Sequence, residues 1–475
     1  MTSRRRLWVA VAVIGVLTVA AATPLAWTHS SRLTRTTGDE PQYLLSATSL
    51  SEDLDLDVSD ERLDRRYEDI FHRYYLAPQQ EAERPDGRLV SPHDPLLPVL
   101  MAAPVRTGGW LSARFAVAAM AGMLAALTLW VAVRRFGIEL RAAVVTVAAF
   151  SLAAPLTVYG TQVYPELPAA LALTAAVAAA TGLPKRRNAA LLGVAVIALP
   201  WLGVKYLGVA AAIAGVGLMR LAWDRPKPAF ALGAVWSLAA LAYALLHQVI
   251  YGGWTAYASA NFLATEGDVM GPNPNYIGRG LRLIGLLVDR DFGLFAWAPV
   301  FLLAVPALAT LARRRPPGWL VLAAPLGAGW LTATFVALSM HDWAWPGRQV
   351  VIVVPVVALA VAWWAAQSAA RLWAVAVMGA VGVLTYLWVL TDALRERITV
   401  VVDFDRTGAP WFRAVGALLP DYRNPSPGMW ARHALWIGIV AVLVVVAWRA
   451  AGARRPVTIS RPAHDGPAPV PVPTH

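Results

Sequence analysis

Thr37-Gly38-Asp39-Glu40-Pro41-Gln42-Tyr43-Leu44-Leu45 follows closely on a first apolar run, Leu7 to Trp27. Two adjacent carboxylates therefore open a long acidic loop in a chain that is otherwise apolar. Of 475 residues, 58% are hydrophobic and 15% are charged. A soluble domain has no use for that much apolar surface, and a polytopic membrane protein does. A carboxylate near a bilayer is costly unless it is solvated, paired or used. The position of Asp39 and Glu40 points to use.

Working outward, apolar runs fall near 7–27, 111–133, 142–159, 166–183, 189–203, 206–222, 229–250, 292–311, 318–339, 350–367, 372–391 and 433–451. A run of roughly 20 residues crosses about 30 Å of hydrocarbon as a helix. The expected fold class is all-α: a polytopic membrane protein of about twelve transmembrane helices. Pro200 and Lys205 interrupt the 189–222 region, so it is read as two short helices. Basic clusters (Arg4 to Arg6, Arg134/Arg135/Arg141, Lys185 to Arg187, Arg220/Arg225/Lys227, Arg313 to Arg315, Arg371, Arg449/Arg454/Arg455) fall at every second gap. That pattern places them, and both termini, in the cytoplasm. It also accounts for the net charge of +12 without nucleic acid. The first run is long for a signal peptide and reads as a retained anchor. Cysteine is absent, which excludes disulfides and thiolate metal sites.

The domain reading is a transmembrane domain over 1–451, with a first extracytoplasmic loop over 28–110, and a Pro- and Arg-rich cytoplasmic tail over 452–475 that is expected to be disordered. The loop holds 15 of the 29 acidic residues. Its stretch 96–105, apolar but short, predicts an interfacial helix, and Gly/Pro-rich 267–278 predicts a mobile outer loop.

Candidate chemistry gathers on the outer side. Asp39 and Glu40 can serve as a general base, or cap the helix that Pro41 begins. Glu166, in Tyr164-Pro165-Glu166, is a second acid at the mouth of a span, or another helix N-terminus. His93 and Asp94, in Ser91-Pro92-His93-Asp94-Pro95, can orient a hydroxyl or hold a metal, or simply form a turn before proline. Lys205, Arg279, Arg282, Arg290 and Arg348 are cations on the face where the positive-inside tendency does not put them. Arginine suits bidentate phosphate binding and lysine a point contact; the competing roles are snorkelling and local pairing. Tyr164, Trp343 and Trp345 are candidates to line a sugar or lipid groove. No strong metal-ligand constellation, P-loop or nucleotide fingerprint is present. No cofactor is therefore assigned, and a divalent metal is left open.

Together these features resemble the GT-C superfamily of membrane glycosyltransferases, in particular the group containing protein O-mannosyltransferases, aminoarabinose transferases and arabinofuranosyltransferases. The segments carrying the likeness are Gly38 to Leu44, Asp55-Leu56-Asp57, Ser91 to Pro95, Leu287 to Leu294 and Trp345-Pro346-Gly347-Arg348. The resemblance implies a GT-C-like fold, a polyprenyl-phosphate-sugar donor in the bilayer, and inverting transfer of a hexosyl or pentosyl group on the outer face. The acceptor it implies is a glycan, lipid or protein. It implies Asp39 as base beside Glu40, Glu166 as the second acidic position, and Lys205 and Arg348 as donor-phosphate contacts. The chain lacks the large soluble domains common in that group. Two rivals are a transporter or flippase of lipid-linked sugars, which would place charge at mid-membrane, and a non-catalytic assembly partner that tolerates loss of Asp39.

Overall fold

Nearly every apolar run satisfies its backbone hydrogen bonds within a helix, as hydrocarbon requires. The computed structural model describes residues 2–71, 75–77, 87–259, 275–341 and 343–452. Among the described residues there is no strand beyond two isolated bridges, Ser31 with Thr34 and Asp57 with Val90. The all-α expectation holds. The tail from residue 453 and most of the Gly/Pro-rich loop (260–274) lie outside the described residues, as do Glu81, Glu83, Asp86 and Asp342.

Every expected run falls on helix, but not every run is one long helix. Among the described residues, seven segments are long and apolar enough to cross a membrane: Ser3–Trp27, Leu96–Arg134, Val204–Asp224, Pro226–Ala258, Arg348–Ala365, Ala369–Leu394 and Pro427–Gly452. The other runs are shorter or broken, and the breaks have local causes. Leu140–Ser151 stops before Pro155, and a short helix resumes at Leu156. The 292–311 run is cut at Pro299 into Leu294–Trp297, Pro299–Leu303 and Ala304–Arg314. The 189–222 region splits as expected into Arg186–Leu202 and Leu207–Asp224, with Lys205 in a single tight turn between them. The 96–105 stretch is helical, as expected, and non-helical backbone at Gly108 and Gly109 breaks it from the helix that follows, to Arg134.

Small residues set the packing. The first helix lies against Leu96–Arg134 where Gly15 meets Gly122. A Cβ on Gly122 would stand 2.8 Å from the Gly15 carbonyl oxygen and 2.5 Å from a Val19 methyl. Such close backbone approach is how membrane helices gain contact area. The Arg348–Ala365 segment is 83% buried across its apolar window and is the central helix; Pro226–Ala258, at 6%, is peripheral. Arg348 therefore sits at the head of the most enclosed helix of the molecule.

The two ends of the helix bundle carry different chemistry. At one end Arg314 donates to Gln367 Oε1 (3.0 Å) and to the Ala451 carbonyl (3.3 Å), and Arg371 also reaches Gln367 (3.0 Å). At the other end helices begin at Glu40, Glu166 and Arg348, and the Lys205 turn lies among them.

Candidate active site

Residues from five separate stretches form one line of alternating charge. Lys205 Nζ lies 2.6 Å from Glu166 Oε1, and the same oxygen accepts from Arg348 Nε at 3.0 Å. Arg348 Nη2 donates to Asp39 Oδ2 at 2.5 Å, and His93 Nε2 stands 3.8 Å beyond that oxygen. Two carboxylates thus alternate with two basic side chains. Nothing in local sequence pattern forces this, because Asp39 and Arg348 are 309 residues apart.

The helix starts explain how the acids are presented. Asp39 occupies the cap position of Glu40–Glu52, yet its side chain makes no capping bond. Pro41 needs no donor partner at the first turn, which releases the carboxylate for Arg348. Glu166 likewise begins Glu166–Ala180 behind Pro165 without capping it. Acids at helix starts are favoured by the helix dipole; arginine at a helix start is not. Arg348 opens its helix all the same, held by the two carboxylates and by the face of Tyr164, 4.4 Å from its guanidinium carbon.

Gly38 makes the approach between these segments possible. Its φ is +63°, and a Cβ there would lie 2.8 Å from both the Tyr164 hydroxyl and the Trp343 carbonyl oxygen. Only glycine suits that conformation and that gap. Tyr164 then donates to the Thr37 carbonyl at 3.0 Å and ties the loop before Glu166 to the loop before Glu40.

Exposure ranks the acids. The Asp39 side chain is 27% exposed and that of Glu166 1%. Burial would raise the Asp39 carboxyl, but the Arg348 guanidinium and His93 outweigh it and hold the group well below the usual carboxylate range. Asp39 is ionised and reachable. Glu166 is enclosed, and its Oε2 has no hydrogen-bond partner among the described residues.

Glu40, its neighbour, turns the other way. It is buried and grips Arg114 with both oxygens, Nε and Nη2 each at 3.0 Å, while accepting the Val163 N–H at 3.2 Å. Arg114 also donates to the carbonyls of Ala26 (2.9 Å) and Arg35 (2.8 Å). This pair joins the end of the first helix, the loop before Glu40 and the loop before Glu166. Arg114 was hidden in sequence inside an apolar run, where a lone charge is itself a signal.

The remaining candidates divide. His93 faces Asp39 and accepts or donates to Ser91 Oγ at 2.7 Å. Asp94 faces away from Asp39: it binds the Tyr243 hydroxyl (2.7 Å), His247 Nε2 (3.0 Å) and the Val204 N–H (2.9 Å). It anchors the turn that carries Lys205, a role that rests on Tyr243 and His247, neither of which sequence pattern singled out. Trp345 is buried against Trp297 and Phe404, with its N–H unpartnered among the described residues. Together with Phe292, Met340 and Arg348 it lines a small recess. Trp343 is 66% exposed. Arg279 and Arg282 donate to the carbonyls of Phe335 and Ala337 at the end of a helix, and Arg290 lies near Asp291 and Asp421. Asp289 accepts the N–H groups of Asp291, Phe292 and Tyr422 and so organises the loop beside that recess.

No family model matches the chain, and no curated protein sequence matches it. Among solved structures it is similar to the crystal structure of ArnT from Cupriavidus metallidurans bound to undecaprenyl phosphate. The superposition covers 95% of this chain and 74% of that one, with a TM-score of 0.54 and 15% sequence identity. The fold is GT-C. At this identity the likeness is one of architecture, and it agrees with the expectation drawn from the acidic pair and the late arginine motif.

Proposed function

We propose that this protein is an inverting glycosyltransferase that moves a hexosyl or pentosyl group from a polyprenyl-phosphate donor to an acceptor hydroxyl at the extracytoplasmic face. The observation that carries the proposal is the line Lys205–Glu166–Arg348–Asp39, with a reachable ionised carboxylate at one end and cations able to meet a phosphate beside it. The similar structure, ArnT, holds undecaprenyl phosphate, a lipid of the class a membrane donor would require.

The chemistry follows from where charge moves. Attack on the anomeric carbon breaks its bond to the phosphate oxygen, and the leaving phosphate gains negative charge. Arg348 and Lys205, in a site with little water, stabilise that charge. In the resting site they are neutralised by Asp39 and Glu166, so an arriving phosphate competes with the carboxylates for them. When Arg348 turns to phosphate, Asp39 loses its partner and becomes a stronger base, able to take the acceptor's proton as the new bond forms. Glu166 keeps the cations in place and offers its unpartnered oxygen to a sugar hydroxyl. Glu40 acts only through Arg114, as an anchor of the loop. Outside placement of the site is supported by the opposite end, where Arg314 and Arg371 gather as cytoplasmic arginines do.

The test uses the full chain in nanodiscs with labelled polyprenyl-phosphate sugar and a panel of glycan, lipid and peptide hydroxyl acceptors. Transfer with inverted anomeric configuration is the expected result. In proteoliposomes, donor that crosses the bilayer intact with no product on any acceptor would establish the flippase instead.

A further inference from the structure

The acidic first loop holds more carboxylates than the site above uses, and most have partners. Asp55 Oδ1 accepts from Ser49 Oγ and from the Asp57 N–H. Asp57 Oδ1 accepts from the Ser59 N–H, the Ser59 hydroxyl and the Leu89 N–H. Glu52 pairs with Arg66. Glu61 differs: it is 2% exposed, and neither of its carboxylate oxygens has a hydrogen-bond donor among the described residues. Asp53 and Asp60 stand beside it, with one oxygen from each of the three residues within 4.8 Å of the others. Asp53 and Asp60 are exposed. The arginines nearest in sequence are engaged elsewhere: Arg62 donates to the Leu76 carbonyl (2.6 Å) and to Gln42 Oε1 (2.8 Å), Arg65 pairs with Glu68 (2.5 Å), and Arg66 is held by Glu52.

A buried carboxylate with no donor is strongly unfavourable, and two like charges at its side make it more so. Positive charge has to enter, as a proton or as a cation. Without a cation, burial and then neighbouring Asp60 push the Glu61 carboxyl up to about 8. The donor set decides which cation fits. It is oxygen only, which disfavours zinc and softer metals. Three carboxylates converging on one point suit calcium, whose adaptable shell takes about six to eight oxygens, better than magnesium, which is usually held by one or two carboxylates. The two exposed aspartates leave room for the waters that complete a calcium shell.

We propose that Asp53, Asp60 and Glu61 bind one hard divalent cation, calcium in preference to magnesium. Asp53 sits at the C-terminal end of the Glu40–Glu52 helix, and Asp60 and Glu61 lie in the first turn of Ser59–Leu63. The ion would clamp one to the other. Arg62 of the second helix already reaches Gln42 near the start of the first. The clamp therefore steadies the helix that begins beside Asp39, while its ligands stay apart from the line through Arg348. It is a structural ion that takes no part in group transfer.

The test reads binding directly and needs no sugar substrate, so its outcome is independent of the proposed transfer reaction. Full-length protein in phosphatidylcholine nanodiscs is stripped with chelator and titrated with calcium, magnesium or zinc alone by calorimetry. Thermal unfolding is followed with and without calcium. One calcium per chain and a raised unfolding temperature are expected, with affinity at least about tenfold weaker in Glu61→Gln. Asp60→Asn, a change at an exposed position that should fold normally, is expected to weaken binding in the same way. Asp69→Asn, an exposed acid elsewhere in the loop, leaves it unchanged. The proposal is overturned if stripped wild-type protein binds no calcium. Equal affinity in Asp60→Asn, Glu61→Gln and Asp69→Asn would also overturn it, by showing diffuse attraction to an acidic loop.

Discussion

Asp39 and Glu40 are neighbours, and each meets an arginine, yet the two pairs are built differently. Glu40 and Arg114 are both fully enclosed, with two parallel hydrogen bonds between them and backbone groups taking most of what remains. Asp39 meets Arg348 through one oxygen, at a site partly open to solvent, and Arg348 is shared with Glu166. A closed, bidentate pair with every partner in place holds segments together. An open pair with a shared cation can exchange partners. Residues with the same charge, one peptide bond apart, thus differ in burial and in how completely their bonds are satisfied, which makes one contact fixed and the other exchangeable.

The comparison can be broken at either pair. The largest effect on folding is expected at the closed one. Arg114→Leu leaves Glu40 buried and unpaired, at a cost of about 3–5 kcal/mol, which unfolding in detergent would report as a steep fall in stability. Arg348→Gln should cost markedly less in the same measurement, since both of its carboxylates keep other contacts. If the two variants lose equal stability, the distinction between anchor and reactive pair fails.

A smaller effect sharpens the open pair. Arg348→Gln is expected to weaken donor binding by about tenfold to a hundredfold, as for loss of one or two charge-assisted hydrogen bonds. Equilibrium binding of a labelled polyprenyl phosphate checks this, and unchanged affinity would return Arg348 to a purely structural role. The smallest effect concerns pH. The Asp39 carboxyl is depressed in the resting protein. Its contribution to stability is therefore complete above the ordinary carboxylate value of about 3.9, and is lost as pH falls through the lower folded value. The pH profile of kcat/KM should show no acid limb from Asp39 above about pH 5. A limb there that vanishes in Asp39→Asn would contradict the assigned electrostatics.

Much of the architecture was legible because hydrocarbon imposes length and polarity on every crossing element. The twelve runs all fall on helix. What composition did not reveal were interruptions decided by single residues, such as the stop before Pro155 and the break at Pro299. The charged candidates at positions 39, 166, 205 and 348 were visible as ionisable residues at span mouths. Their pairing was not, because nothing local links residues more than a hundred positions apart. Arg114 and His247 were overlooked for a related reason. Each lies within an apolar run whose periodicity dominates, and only the partner across the fold, Glu40 or Asp94, gives the charge a purpose.

The central claim is that Asp39 is the base and Glu40 is not. Single-turnover transfer by Asp39→Asn in nanodiscs, with donor bound beforehand, tests it most directly. Donor binding should survive while the transfer step slows by at least about a hundredfold, the usual contribution of a general base. Transfer at the wild-type rate in that variant would contradict the account.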